Sequence, residues 1–567
     1  MLSSLQQTSL AVIGTSLAVL ALGLPAQPSR AVSPRRAPVP IGAGESLYLR
    51  GVLSTGEPLR GERASAPGGE GADAACVNCH RRSGLGQLEG LAPVPAITAW
   101  YLYRPRSEVR PRHEDAGELP AAAPEPGAQP ELLLRPRSAY TDATLARAIR
   151  DGVGADGQPL SFLMPRFRID DADMASLIAY LKQLSQRPSP GAGETTLELA
   201  TIITPDADPV KRRGMLDVLT HFFGAGNVFM AGKGPPPQYS HGFFPLIHHL
   251  QLNVWELSGA PESWQAQLDE RLREEPVFAV VSGLGGKTWE PVHRFCQRSG
   301  VPCLFPNVDL PVVAGEDFYD IYFSKGVLLE AELIAARLRA GAAGPAGPRR
   351  LVQVYRRGDI GESAAAELRR VLAASATQAA DHVLEPEADP PQVRGALEDV
   401  RPGDVLVLWL RPKDLGALPA QPPAGAAVFV SGLMAGLERA PLAAPWRTVA
   451  RMTYPFALPN ERRMSMDFPL GWMWFNKVPV VDELTQSDTY LACMITAEAV
   501  RIMGEDLLRD HLVEILEMHL GTRLVDGYYP RLDLAPGQSF ASKGGYLVRL
   551  AEPQGTRLVA DGAWSVP

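Results

Sequence analysis

Cysteine is scarce in this chain of 567 residues: five in all, too few for a scaffold built on disulfides. Positive charge is not in excess either. A formal net charge of -8 argues against nucleic acid or an anionic membrane surface as the main partner. No GxGxxG or Walker pattern follows any strand-like run, so nucleotide binding is not indicated. A single CxxC stands without a second such pair or an HxxxH, which removes the usual spacing of a zinc site. No nucleophile–base pair is readable, and enzymatic activity is not expected. What is present is globular in character, 46% hydrophobic and 21% charged, and long enough for two or three domains.

The N-terminus has no Lys or Arg from Met1 to Thr8, so the positive start of a secretory signal is missing. An apolar run from Leu10 to Leu24 follows, roughly 15 residues against the ~20 needed to span a membrane. Small residues beyond it offer cleavage after Ala26 or Ala31. The expectation is a signal peptide over residues 1–31, with an uncleaved anchor as the alternative; either one delivers the chain to the periplasm.

Cys76-Val77-Asn78-Cys79-His80 forms a C-x-x-C-H motif. Two thiols at this spacing add across the vinyl groups of haem, and the adjacent His reaches the iron as proximal ligand. A redox dithiol would open a helix after a strand, whereas a Gly-rich stretch precedes this motif. A second iron ligand is sought further along. Met164 sits on a loop before Pro165, ahead of a helix capped by Asp170 with Met174, Leu177, Ile178, Leu181 and Leu184 on one face. Met174 belongs to that apolar face, but Met164 is free to offer its thioether to iron. A His80/Met164 pair saturates the metal and favours electron transfer over oxygen chemistry.

These residues resemble a class I cytochrome c: CVNCHRRSG from Cys76, LARAIRDG from Leu145, LMPRF from Leu163, and the closing helix to Leu184. The resemblance implies a small all-α domain over 41–187 around one covalently attached haem c. It also implies that Arg82, with Ser83 and Gly84, and Arg166 lie near the haem propionates. The stretch from Arg104 to Arg137, rich in Pro, Ala and Glu, departs from the family and reads as an inserted loop.

A Pro/Gly/Ser-rich stretch from Gln186 to Glu194 marks a linker, placed at 188–196, before a second domain at 197–567. There, short apolar runs at Leu197–Ile203, Val277–Ser282, Leu351–Tyr355, Val405–Leu410 and Ala427–Ser431 read as buried parallel strands. They alternate with helical stretches at Arg213–Phe223, Trp264–Glu274, Leu328–Ala340, Glu362–Ala374 and Thr489–Met503. Such alternation predicts open α/β sheets with ligands at the carboxyl ends of strands.

The succession resembles the type I periplasmic binding proteins, the solute receptors of ABC transporters. The residues that carry it are Leu199–Pro205, Val280–Gly283, Val301–Pro306, and the segment from Tyr528-Tyr529-Pro530 to Tyr546. The resemblance implies two lobes with three crossings and a ligand in the cleft. The first lobe would take about 197–325 and 450–520; the second would take about 350–440 and the last strands. Candidate ligand-binding residues are Ser282, Gly283 and Gly285 in a Gly-rich loop, Asn307, Asp309, Tyr355, Asp359 and Ser431. The loop's backbone N–H groups would suit an anion. Cys296 and Cys303 flank a helix-to-strand turn and are expected to bridge in an oxidising compartment. Cys493 reads as core. His248-His249 and Trp255 fit surface and core roles better than a metal site.

Together the halves suggest a periplasmic electron carrier whose second domain recognises a metabolite or docks a dehydrogenase or another cytochrome. The alternative is a solute receptor whose haem senses or tunes redox state.

Overall fold

In the computed structural model the described residues are 41–63, 68–89, 92–106, 135–185, 189–225, 248–315, 317–341, 350–374, 378–523, 527–552 and 557–567. The expected signal peptide and most of the insertion between Arg104 and Arg137 lie outside them. Among the described residues, no helix is long and apolar enough to cross a membrane.

The first domain is held by two helices that cross, α1 (Ile41–Arg50) and the last helix of the domain, Asp171–Gln183. Gly44 lets the backbones touch, since a Cβ there would stand 2.2 Å from the Ser176 carbonyl oxygen. Between them the chain forms α2 (Val77–His80), α3 (Ala99–Leu102) and α4 (Asp142–Asp151), with Asp171–Gln183 numbered α5. A Thr141/Thr144 capping box starts α4, and left-handed Gly152 ends it. The Asp170 carboxylate accepts from Asp173 N at 2.8 Å and starts α5. Met174, Leu177, Ile178 and Leu181 are buried on the inner face of α5, as the periodicity predicts.

An all-α domain was expected, and the structure adds short strands. β1 (Arg60–Glu62) pairs antiparallel with β2 (Gly69–Glu70), and β3 (Gln87–Glu89) pairs with β4 (Ala92–Val94). A further strand, β5 (Arg166–Phe167), pairs with β1 and ties down the chain just past Met164. Strands of two or three residues are too short to show an alternating pattern, so the sequence carries no sign of them.

The α/β region begins with a parallel sheet of five strands: β6 (Thr196–Ile203), β7 (His249–Glu256), β8 (Ala279–Val281), β9 (Cys303–Leu304) and β10 (Asp320–Ile321). Their order is β10-β9-β8-β6-β7, with helices α6 (Pro209–Ala225), α7 (Trp264–Glu274) and α8 (Glu290–Ser299) between them. Helix α9 (Val327–Gly341) carries the chain to the second lobe. There β11 (Arg350–Arg356), β12 (Gln378–Leu384), β13 (Val405–Trp409), β14 (Ala427–Val430) and β15 (Arg451–Tyr454) run parallel, with α10 (Ile360–Leu372) after β11. Helices α11 (Arg463–Phe475), α12 (Glu483–Met503) and α13 (Arg509–His519) follow, and α12 packs against α6 of the first lobe. The chain then adds β16 (Tyr546–Leu550) and β17 (Leu558–Ala560) antiparallel to the second sheet, giving the order β12-β11-β13-β14-β15-β16-β17.

Three segments therefore cross between the lobes, near 322–326, 455–458 and 527–545. Their aromatic rings meet. Phe323 stacks on Phe305 at 4.6 Å and on Tyr529 at 5.1 Å, and Phe456 closes on Tyr529 at 5.5 Å. This cluster joins the crossings in one apolar knot, worth about 0.5–1.5 kcal/mol per ring pair beyond simple burial.

Candidate haem site and interlobe cleft

His80 ends the one-turn helix α2 and is buried. Its Nδ1 lies 3.0 Å from the Pro95 carbonyl oxygen. A carbonyl can only accept, so Nδ1 carries the proton and Nε2 keeps its lone pair for a metal. Burial lowers the tendency of the ring to protonate, against the pull of the Pro95 carbonyl. Cys76 and Met164 both pack against the core cluster built on Leu47, Tyr48, Leu145, Leu177 and Leu181. Burial pushes the Cys76 thiol up to about 12 and the Cys79 thiol up to about 11, the latter with help from Glu89. A reactive dithiol would need the opposite shift. The donor set fits a c-type haem: two paired thiols that burial disfavours as thiolates, a neutral imidazole with its tautomer fixed, and a thioether on the same core.

Arg166 hydrogen-bonds the Met164 carbonyl and reaches the Leu160 carbonyl at 3.4 Å. It therefore braces the loop that carries Met164. Arg82, expected near the propionates, reaches the α/β domain. Its guanidinium lies over the Phe318 ring at 4.7 Å and 3.9 Å from the Asp510 carboxylate. An anionic partner and an aromatic face on the α/β domain draw it there.

Arg82 belongs to a wider contact. Directly after the haem His, Arg81 adopts φ 65°, a backbone conformation rare for a side chain of this size. Its carbonyl accepts from Tyr48 Oη at 2.6 Å, and its guanidinium pairs with Glu517 of α13. Ser83 N donates to Glu514 Oε1 at 2.8 Å, and Ser83 Oγ to Glu514 Oε2 at 2.5 Å. Tyr101 Oη donates to Asp506 at 2.9 Å, while Leu85, Ala96 and Leu508 form a small apolar cluster. The segment following His80 is thus docked on the first lobe, chiefly on α13.

The cleft residues are arranged differently. Ser282 is buried with φ 51°, its Oγ 3.0 Å from Thr489 Oγ1 and accepting from Asn307 Nδ2 at 2.9 Å. Four successive N–H groups of the Gly-rich loop already have partners in the chain. Leu284 N donates to Ile202 O at 2.8 Å, Gly285 N to Asn307 O at 3.3 Å, Gly286 N to Thr204 Oγ1 at 3.1 Å and Lys287 N to Asp206 Oδ2 at 2.7 Å. Gly283 and Gly285 instead make room for Trp289, whose ring would lie 2.4 Å and 2.8 Å from added Cβ atoms.

Asp309 receives Lys211 Nζ at 3.4 Å. On the second lobe Asp359 caps α10 and takes two bonds from Arg411, at 2.8 and 2.7 Å. Burial opposes its charge, but Arg411 holds the carboxyl below its usual range. Lys211 and Asp309 also act on Arg411 electrostatically, so the two ion pairs influence each other. Tyr355 is not among them: its hydroxyl donates to Asp381 at 3.1 Å, beside the outer edge strand β12. Ser431 is buried and donates to Glu330 Oε2 at 2.5 Å.

Two acidic groups escape a reading by motif. Glu330 on α9 is fully buried and accepts from Ser431, from Leu433 N at 3.0 Å and from Thr453 Oγ1 at 2.7 Å. Burial pushes it up to about 7 against those three donors. Asp488 on α12 accepts from Tyr529 Oη at 3.1 Å, and burial pushes it up to about 8. A charged residue inside the apolar runs VLLEAELIAARL and TQSDTYLACM is the only signal of either.

The expected Cys296–Cys303 bridge is absent. Both are free, fully buried thiols, and a buried carboxyl, Asp320, shares their pocket. Cys493 is buried in the core; Trp255 is buried and donates to Glu275 at 2.9 Å; His249 opens β7 at an exposed position.

Residues 65–185 match the sequence model of the family described as Cytochrome c. No curated protein sequence matches the chain. Among solved structures, a substrate-binding periplasmic protein from Ralstonia solanacearum aligns at 14% identity and TM-score 0.47, covering 64% of this chain and 100% of its own. An ABC transporter substrate-binding protein from Aeropyrum pernix aligns at 14% and 0.47, covering 66% and 96%. A branched-chain amino acid ABC transporter from Thermus thermophilus with bound valine aligns at 10% and 0.46, covering 66% and 97%. Residues 65–185 are thus similar to the cytochrome c family, and a two-lobed α/β domain is joined to them.

Proposed function

We propose that the protein is a periplasmic haem c electron-transfer protein whose two-lobed domain recognises a small metabolite or docks a partner dehydrogenase. One haem is expected, because the sequence holds one C-x-x-C-H. The reading is carried by the His80 ring, buried and fixed by Pro95 with one nitrogen left for iron. Cys76 and Cys79 would hold the group through thioethers, with His80 and Met164 as axial ligands. When bound, haem supplies reversible one-electron chemistry. The chain's own part is to keep the imidazole neutral and in one tautomer, to brace the Met164 loop through Arg166, and to keep water out with the Leu47–Leu181 core. Neither domain is assigned a catalytic residue. The electron partner is a periplasmic dehydrogenase or another cytochrome, and export rests on the signal peptide expected over 1–31.

Met164→Ala tests the ligation. Loss of the weak absorption band that reports sulfur on ferric iron is expected, and survival of that band would remove Met164 from the iron.

The docking of Arg81, Arg82 and Ser83 on α13 favours a second reading, a solute receptor whose haem senses or tunes redox state. Small molecules that co-purify with the full chain should be identified by mass spectrometry, and the haem potential recorded with and without them. A potential that moves with ligand supports the receptor. An empty cleft with no thermal shift across a metabolite library counts against solute binding altogether.

A further inference from the structure

Away from both sites, β9 and β10 lie parallel with Cys303 opposite Asp320. Residues in register share a face of the sheet. The last turn of α8 brings Cys296 over that face. The two sulfur atoms and a carboxylate oxygen of Asp320 all lie within 4.8 Å of one another, and all three residues have no solvent exposure.

The Asp320 carboxylate is oriented from one side. Its Oδ2 accepts from Gln297 Nε2 at 2.8 Å and lies 3.5 Å from His293 Nδ1. His293 is itself held by Tyr322 Oη at 2.9 Å and by Asp317 at 3.2 Å. The Cys303 thiol lies beside the carboxylate on the other side, where no N–H or O–H donor meets the buried Oδ1. A buried carboxylate oxygen with no such donor is unfavourable, and a natural core seldom keeps one without a use. Arg509, at the start of α13, adds positive charge near Cys296.

We propose that Cys296, Cys303 and Asp320 form a structural zinc site, with Gln297 and His293 fixing the carboxylate from behind. Two thiolates and one carboxylate are a mixed donor set that suits zinc; copper(I) prefers sulfur throughout. Tetrahedral zinc with bonds of ~2.3 Å to sulfur and ~2.0 Å to oxygen sets its ligands roughly 3.5–3.8 Å apart, so a contraction of the group would fill three of its four positions, with a water molecule as the fourth ligand. On binding, each thiol gives up its proton to solvent and each sulfur donates a lone pair to the ion; no oxidant is involved. The ion would pin the edge strand β10 to α8.

The test uses the full haem-loaded chain, incubated with zinc, dialysed against metal-free buffer and analysed for metal. One zinc ion per chain beyond the haem iron is expected, with Cys296 and Cys303 shielded from alkylation until a chelator is added. Asp320→Asn and Cys303→Ser should lose the zinc. Gln297→Ala, which leaves all three ligands in place, should weaken zinc binding about 10–100-fold. A wild-type chain that takes up no zinc overturns the proposal, as does a Cys296–Cys303 disulfide in its peptide map. Because the wild-type measurement decides alone, a variant that fails to fold does not spare the proposal.

Discussion

In the cytochrome c-like region the proposed haem attachment falls on five consecutive residues, and neighbouring residues position them. Pro95 sets the His80 tautomer, Arg166 braces the Met164 loop, and α13 clamps the residues that follow the His. In the cleft, the candidates come from several strand ends, and the polar side chains among them already have partners in the chain. Asn307 bonds Ser282, Lys211 meets Asp309, and Arg411 holds Asp359. The proposed haem site is a motif supported by a fold. The cleft is assembled by topology from residues that are ordinary one at a time, so its chemistry is visible only once the strands are in place.

Removing the motif gives the largest expected effect. In Cys76→Ala combined with Cys79→Ala, haem should no longer remain with the denatured polypeptide, while the α/β domain still unfolds cooperatively in circular dichroism. Loss of both structures at once would mean that the two regions are not separable.

The next effect concerns the clamp between them. Glu517→Ala leaves the Arg81 guanidinium buried without its carboxylate, a loss of about 3–5 kcal/mol. Denaturant unfolding followed at the haem should shift well below the transition followed at tryptophan. Coincident transitions would show that the pair does not hold the domains together.

Glu330 sharpens the comparison from the cleft side. Its folded-state value, about 7, lies above the ordinary 4.5. Its contribution to stability is therefore fully present below about 4.5 and is lost as pH rises through about 7. Glu330→Gln should flatten this fall, on the order of a few kcal/mol across the window, without changing the haem spectrum. An unchanged pH profile would assign the titration elsewhere.

The smallest effect belongs to the ion pair at the second lobe's strand ends. The Arg411 side chain is 44% exposed, so Arg411→Ala should cost about 1 kcal/mol or less. The haem potential should not move. A shift in potential would mean that the cleft and the haem are coupled.

Much of this organisation is legible in the sequence. Trp264–Glu274 forms a helix with the expected ends, and the five expected strands appear within two residues of their expected limits. Long periodic segments reveal themselves because burial imposes a repeat. Strands such as β5, β9 and β10 do not, because two residues have no period. The direction of Arg82 was hidden for another reason: its partners, Phe318 and Asp510, lie more than two hundred residues away and belong to the other domain. The Gly-rich loop is ambiguous in the sequence because glycine serves equally to expose backbone and to admit a large side chain, and here it admits Trp289.

The most direct test of the central claim is the mass of the proteolytic peptide containing Cys76 and Cys79, taken from protein made with the cell's c-type haem attachment machinery. The expected result is a peptide carrying one haem on two thioether bonds. A peptide with both cysteines unmodified, from folded protein, would contradict it.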